Sequence, residues 1–129
     1  MEYTKYAHYV SSCKYHIVFC PKYRRNILVN GIDARLKEII LSLQKDRFHV
    51  IEMEVMPNHV HLLIEASPYE SPVDIVKHIK QQSALILKRE FKEINTKLPN
   101  LWTRSAFICS VGTVSMEIVK EYIANQKGR

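Results

Sequence analysis

The sequence predicts an α+β fold in which one antiparallel sheet carries helices on a single face. Three observations support this prediction. One run in the middle of the chain has the composition of a strand, and its apolar residues alternate as Val60, Leu62 and Ile64. Apolar residues recur at helical spacing after Ile32, and a strong helix start stands at Ser71. Strand and helix signals therefore interleave along the chain.

Seven elements are predicted, in the order strand, helix, strand, strand, helix, strand and helix. Their ranges are residues 10–20, 32–47, 48–56, 59–65, 72–91, 101–110 and about 113–127. The first strand is rich in β-branched and aromatic residues and ends at Pro21. Pro57–Asn58 marks the hairpin turn between the second and third strands. Ser71 caps the second helix, with Pro72 at its first position, and Thr113 is the predicted cap of the last helix.

The first six elements have the order of a ferredoxin-like, or RRM-like, split βαβ fold, to which the seventh adds a C-terminal helix. The alternating apolar residues of the third strand then face the helices, so His59 and His61 face the open side of the sheet. A sheet with one bare face needs a cover or a ligand, and nucleic acid fits such a face. We expect a single domain over residues 1–129, since 129 residues suffice for one core.

Charge and cysteine usage narrow the class of protein. The net charge of +6 favours polyanionic partners, among which nucleic acid is the commonest. Cys13, Cys20 and Cys109 form no Cys-x-x-Cys pair, which argues against a disulfide scaffold or a structural zinc site and indicates a reducing compartment. No apolar run approaches membrane-spanning length, and the N-terminus lacks a signal-peptide core. We therefore expect a cytoplasmic protein.

Two pairs of residues indicate the chemistry. His59 and His61 lie two apart on a predicted strand, so both imidazoles project from one face and can seat a divalent metal ion. Tyr122 and Gln126 lie four apart on the last helix, which stacks the phenol and the amide on one helical face. Singly, each pair is more often structural. Together, a metal seat, an oxygen ligand and a phenolic nucleophile are the parts needed to cleave a phosphodiester covalently.

Three segments resemble one known family, and together they extend over nearly the whole chain. They are residues 13–25 (CKYHIVFCPKYRR), 56–64 (MPNHVHLLI) and 121–126 (EYIANQ). Their order and spacing are similar to those of the HUH-type tyrosine transposases of the small single-strand insertion sequences, of insertion sequence 200/605 type. The motif Trp102-x-x-Ser105-x-Phe107 and Gly112 also fit, whereas Thr113 departs from a second glycine carried by many relatives.

The resemblance implies an enzyme that cuts and rejoins single-stranded DNA at the imperfect hairpin ends of its own mobile element, through a 5′-phosphotyrosine. It assigns metal binding to His59, His61 and Gln126, and it makes Tyr122 the nucleophile. It also implies a homodimer in which each active site takes its histidines from one chain and its tyrosine helix from the other. Imidazole suits softer ions than magnesium, so manganese is as plausible a cofactor as magnesium.

Basic residues indicate a DNA path beside the first strand. They are Lys14, Lys22, Arg24 and Arg25, with Tyr23 among them as a surface on which a base can stack. The second helix adds three further candidates, Lys77, Lys80 and Lys88.

Alternative functions remain open. A domesticated relative that processes repeated chromosomal hairpins would keep the same chemistry. A relaxase or replication nickase would place its nucleophile before the histidines, whereas Tyr122 follows them. A non-catalytic module that binds single-stranded nucleic acid shares the order of elements, but its third strand would carry aromatic residues for base stacking, and the run from 59 to 65 has none.

Overall fold

The strand order of the main sheet reproduces the predicted ferredoxin-like arrangement. A computed structural model of the chain describes residues 4–5, 9–111 and 116–128. Its elements, in chain order, are β1 (Thr4–Lys5), β2 (Val10–Ser11), β3 (Lys14–Phe19), α1 (Ile32–Ser42), β4 (Phe48–Met56), β5 (His59–Ala66), α2 (Pro72–Glu90), α3 (Lys92–Lys97), β6 (Phe107–Ser110) and α4 (Met116–Asn125). Strands β3 to β6 pair antiparallel in the order β4-β5-β3-β6, so β5 and β3 are the central strands.

The core fills the space between one face of this sheet and helices α1 and α2. Val60, Leu62 and Ile64 of β5 are fully buried there. The residues of α1 and α2 in the same cluster are Ile32, Leu36, Ile39, Ile40, Ile75, Val76, Ile79 and Leu87. Because side chains alternate along a strand, His59 and His61 lie half-buried on the opposite face. The prediction that the histidines face away from these two helices is confirmed.

The β4–β5 hairpin and helix α2 lie close to their predicted ranges. Ser71 caps α2 as expected: its hydroxyl oxygen accepts hydrogen bonds from the backbone amides of Val73 and Asp74. The cap and the following proline fix where the helix begins. In the described part of the chain, no helix is long and apolar enough to cross a membrane.

Helix α1 ends at Ser42 rather than near residue 47 as predicted. The side chain of Gln44 supplies the reason, since it donates to the carbonyl of Leu41 and accepts from the backbone amide of Val50. Lys45 follows with a positive φ of 42°, which turns the chain away from the helix and into β4. Apolar spacing alone does not carry this information.

Two predicted strands are longer than the strands observed. The predicted strand at 10–20 is split, because β2 pairs with β1 in a separate small sheet and only β3 joins the main one. The predicted strand at 101–110 is reduced to β6. The preceding segment forms an isolated bridge between Trp102 and Pro21, and beyond it the carbonyls of Thr103 and Ser105 accept hydrogen bonds from Lys80. The short helix α3 was not predicted, and the predicted cap Thr113 lies outside the described residues.

Candidate active site

The histidine pair is held by the hydrogen-bonded ladder of a central strand. His61 lies opposite Val18 of β3 on one side and opposite Glu54 of β4 on the other. His59 lies opposite Met56, next to the hairpin turn. Since β5 has a paired strand on both sides, the sheet fixes the backbone positions from which the two imidazole side chains project.

Asn58 determines which nitrogen of His59 is available to a metal. Its side-chain oxygen lies 2.9 Å from Nδ1 of His59. An amide oxygen only accepts, so Nδ1 carries the proton, and the neutral ring keeps its lone pair on Nε2. Burial lowers the pKa of His59, which favours this neutral form. A hydrogen bond at one ring nitrogen is the usual way in which a metal-binding histidine is oriented.

A third imidazole lies beside the pair. Nδ1 of His16, on β3, is 3.2 Å from Nε2 of His61, and the two ring centroids are 5.4 Å apart. Burial, and secondly the neighbouring His16, lower the pKa of His61. Both predicted ligands thus favour the neutral state that binds metals. Among the described residues no three His, Cys, Asp or Glu side chains are grouped to hold one ion.

The phenol of Tyr122 and the amide of Gln126 meet at one hydroxyl. Oγ of Ser105 is 3.1 Å from the phenol oxygen of Tyr122, and it donates to Oε1 of Gln126 over 3.0 Å. Gln126, one residue beyond α4, is only 3% exposed. The ring centroid of Tyr122 lies 5.3 Å from that of Phe107 on β6. The two side chains therefore share one face of the helix, as their spacing predicts.

A cavity of about 340 Å³ lies between the histidine pair and a different face of α4. Its lining residues are Arg24, Glu54, His59, His61, Val119, Lys120, Ile123 and Ala124. Tyr122 and Gln126 are not among the described residues that line it. Within one chain, α4 thus presents one face to the histidines and another face, which carries the phenol and the amide, to Ser105.

Arg24 lies in this cavity, although the sequence predicted it as a DNA-binding residue. Its guanidinium donates to the carbonyl of Ile123 over 3.3 Å, near the C-terminus of α4, where a cation is favourable. Tyr23 and Arg24 both have positive φ, of 60° and 49°. For residues other than glycine this costs on the order of 1–3 kcal/mol each, and such strain is concentrated at functional sites.

The other predicted DNA-binding residues occupy two places. Tyr23 and Arg25 lie in the segment that follows β3 and line an open cavity of about 430 Å³. The side chain of Tyr23 is 50% exposed. The ammonium of Lys22 lies 5.5 Å from the centre of the Tyr23 ring. Lys14 stands apart at the start of β3, opposite Glu65. The structure therefore groups residues 22–25 and separates them from Lys14.

Several residues at the site were missed by sequence reasoning. Asn58, His16 and Ser105 fall inside the matching motifs, and that membership is the signal that could have found them. Lys80 was predicted as a candidate DNA-binding residue of the second helix, but its ammonium donates to the carbonyls of Thr103 and Ser105 over 2.6 and 3.1 Å. Burial lowers the pKa of Lys80 to about 8. Its role in this structure is to hold the segment that carries Ser105.

Solved structures share this fold. A 1.90 Å crystal structure of a candidate transposase from Deinococcus radiodurans R1 superposes with a TM-score of 0.87 at 31% identity, covering 98% of this chain and 99% of that one. A REP-associated tyrosine transposase bound to a REP hairpin gives a TM-score of 0.62 at 18% identity, covering 95% and 68% of the two chains. The second likeness, at that identity, concerns the fold alone.

Sequence comparison gives the family. The ISDra2 transposase TnpA of Deinococcus radiodurans is 36% identical over 121 residues, which cover 92% of this chain and 86% of the relative. The transposase for insertion sequence element IS200 of Salmonella typhimurium is 32% identical over 123 residues, or 93% and 80% of the two chains. The family model described as "Transposase IS200 like" matches residues 9–126. The chain belongs to the IS200-like transposase family.

Proposed function

We propose that this transposase is a metal-dependent DNA transesterase that cleaves and rejoins single-stranded DNA at the hairpin ends of a mobile element. One observation carries the proposal: two imidazoles project from a central strand, and one helix presents a phenol and an amide together. These are the groups expected of a metal seat and a covalent nucleophile. The curated relatives are transposases of insertion sequences, which supports element ends as the substrate.

The proposed metal ligands are His59, His61 and Oε1 of Gln126, with magnesium or manganese as the ion. When bound, a divalent ion would neutralise charge on the non-bridging phosphate oxygens and make phosphorus more electrophilic. The donor set fits such an ion. Burial lowers the pKa of both rings, which favours their neutral form, and Asn58 leaves the lone pair of His59 on Nε2. Water and phosphate oxygens can complete the coordination.

Tyr122 is the proposed nucleophile. Its phenol oxygen attacks phosphorus, and a new bond from tyrosine oxygen to phosphorus forms as the bond to the 3′ oxygen breaks. The phenol proton is lost and the departing 3′ oxygen gains one, so the products are a 5′-phosphotyrosine and a free 3′ hydroxyl. Attack by a 3′ hydroxyl reverses these steps. Because the covalent intermediate retains the energy of the original bond, rejoining needs no nucleotide cofactor.

We further propose a homodimer with shared active sites. Two cleavages need two nucleophiles, and each chain carries one tyrosine at this position. Within one chain, Tyr122 and Gln126 face Ser105, while a different face of α4 lines the cavity at His59 and His61. In the proposed dimer, the tyrosine face of α4 meets the histidine pair of a second copy while Tyr122 and Gln126 stay bound to Ser105, which accounts for this arrangement. In this proposal residues 1–129 act as one domain whose C-terminal helix contacts the partner chain.

Hairpin DNA is the proposed substrate of this dimer. Residues 22–25 and Lys14 supply cations and one exposed aromatic ring for a single strand. A similar fold has been seen bound to a REP hairpin, which supports hairpin recognition and keeps the processing of repeated chromosomal hairpins as a second candidate. Identity of 32–36% to insertion-sequence transposases favours the mobile element over that candidate.

The experiment is a search for a covalent protein–DNA adduct. Single-stranded oligonucleotides that tile the DNA flanking the gene are incubated with the protein in Mn²⁺, in Mg²⁺ or in EDTA, and then run on a denaturing protein gel. We expect a metal-dependent shifted band that is lost in Tyr122→Phe and kept in Tyr69→Phe, an exposed tyrosine outside the site. An adduct that persists in Tyr122→Phe would identify another nucleophile. Hairpin binding without an adduct in any metal would indicate a binding module.

A further inference from the structure

The hydroxyl of Ser105 is shared by the two functional groups of the C-terminal helix. It has one proton, and Oε1 of Gln126 can only accept, so that proton is donated to Gln126 over 3.0 Å. The phenol of Tyr122, 3.1 Å from the same Oγ, must therefore donate to Ser105. The hydrogen bonds run in one direction, from phenol to serine to amide, and they connect the oxygens of the proposed nucleophile and the proposed third ligand.

Ser105 is itself held from two sides. Residues 102–105, which we term the seating segment, are bound to α2 by Lys80, whose ammonium donates to the carbonyls of Thr103 and Ser105. The indole of Trp102 donates to the hydroxyl of Ser83, also on α2, over 3.0 Å. The backbone amide of Thr103 donates to the carbonyl of Cys20, the residue that follows β3, over 3.0 Å. Ser105 thus belongs to the fixed body of the fold.

Lys80 binds this segment through an ammonium that is itself partly buried. Removing an ammonium from water costs free energy, which is why burial lowers the pKa of Lys80 to about 8. The two carbonyls of the seating segment compensate for part of that cost, because hydrogen bonds to a charged donor are stronger than neutral ones. The segment and α2 therefore stabilise one another.

A fixed hydroxyl between two side chains limits their freedom. Tyrosine and glutamine four residues apart on a helix can otherwise choose their rotamers independently. Reactions that need two groups in one geometry gain rate when that geometry is set beforehand. The Ser105 hydroxyl contacts both oxygens and can therefore set their relative position.

We propose that Ser105 is a positioning residue for the transesterification, one that fixes the phenol oxygen of Tyr122 relative to the amide oxygen of Gln126. The inference rests on the proposed function, since it assumes that these two side chains act in one site. Ser105 touches neither DNA nor metal in this role. It acts through the two side chains, and the seating segment relates their position to α2.

The first test needs neither metal nor DNA. The protein is labelled with ¹³C at the tyrosine carbon that bears the hydroxyl, and the Tyr122 signal is assigned by its loss in Tyr122→Phe. We expect this signal to move in Ser105→Ala, to stay near its wild-type position in Ser105→Thr, and to be unaffected in Ser42→Ala. Ser42 is a matched control because its hydroxyl bonds a backbone carbonyl at the end of α1. An unchanged Tyr122 signal in Ser105→Ala would overturn the proposal.

The second test separates positioning from folding. With a hairpin oligonucleotide that gives an adduct, we expect Ser105→Ala to slow single-turnover adduct formation about tenfold, which corresponds to a loss of about 1.4 kcal/mol of transition-state stabilisation. DNA affinity should stay at its wild-type value, and the melting temperature should fall by only a few degrees, as expected from the loss of these hydrogen bonds. Ser105→Thr should restore the rate. The proposal would be overturned if Ser105→Ala kept the full rate. It would also be overturned if the variant lost DNA affinity and folded stability together with the rate, as a general folding defect would cause. If the wild type forms no adduct, the proposed function fails, while the Tyr122 signal still decides whether Ser105 holds the phenol.

Discussion

The two halves of the candidate site are attached to the molecule in different ways. His59 and His61 belong to a central strand, with β3 paired on one side and β4 on the other. Tyr122 and Gln126 belong to α4 and the residues just after it, and their described contacts include one serine hydroxyl and one aromatic ring. The first half is part of the sheet, whereas the second is carried by an added helix. A site divided in this way can be assembled from two copies without disturbing either core.

The largest effect is expected from the strand-borne half. His59→Ala or His61→Ala should abolish both the covalent adduct and Mn²⁺ binding, because the remaining imidazole cannot hold the ion with protein oxygen alone. The adduct is scored on a denaturing gel and Mn²⁺ binding by calorimetry. His49→Ala is the control, since His49 lies on the neighbouring strand β4 and is exposed. Wild-type adduct in either site variant would remove the histidine pair from the chemistry.

Mixing two inactive variants tests whether the halves come from different chains. His61→Ala and Tyr122→Phe chains, mixed under conditions of subunit exchange, should regain about a quarter of the wild-type adduct, since half of randomly paired dimers are mixed and each has one intact site of two. The double variant mixed with Tyr122→Phe is the control and should stay inactive. No recovery with proven subunit exchange would show that each site is built within one chain.

A smaller effect is expected from pH. Burial lowers the pKa of both histidines below the usual 6.5, so protons compete with a metal only in more acidic solution. The protein should therefore keep, at pH 6.5, most of the Mn²⁺ affinity that it has at neutral pH, and lose it as the pH falls further. His16 contributes to the lowered pKa of His61, so His16→Ala should shift the loss towards higher pH. Half-loss at or above pH 6.5 in the wild type would contradict this account.

The face of the sheet on which His59 and His61 lie could be predicted from sequence, because it follows from the alternation of side chains along a strand. Once Val60, Leu62 and Ile64 are assigned to the core, the faces of His59 and His61 follow. The shared face of Tyr122 and Gln126 follows equally from helical spacing. In both cases the information is contained within a few consecutive residues, and the structure agrees.

What the sequence did not reveal depends on contacts between distant segments. The neighbour of His61 is His16, and their contact depends on the register between β3 and β5. Ser105 reaches Tyr122 and Gln126 across 17 and 21 residues, and no local pattern encodes such a contact. The same holds for Lys80, which reads as a solvated helical lysine until its carbonyl partners are known. Residue type and spacing do not predict which side chains from distant segments will be in contact.

Trp102 gives the protein a built-in optical reporter. It is the single tryptophan of the chain, it is 7% exposed, and its ring packs edge-on against Phe19 while its N–H group bonds Ser83. The wavelength of indole emission depends on how far the ring is exposed to water. The native fluorescence therefore reports changes in the region next to Ser105 without any label. An emission maximum that stays constant when DNA or a second subunit binds would show that the region next to Ser105 remains closed. A red shift of the emission in the same titration would show that water reaches Trp102 and that this region opens.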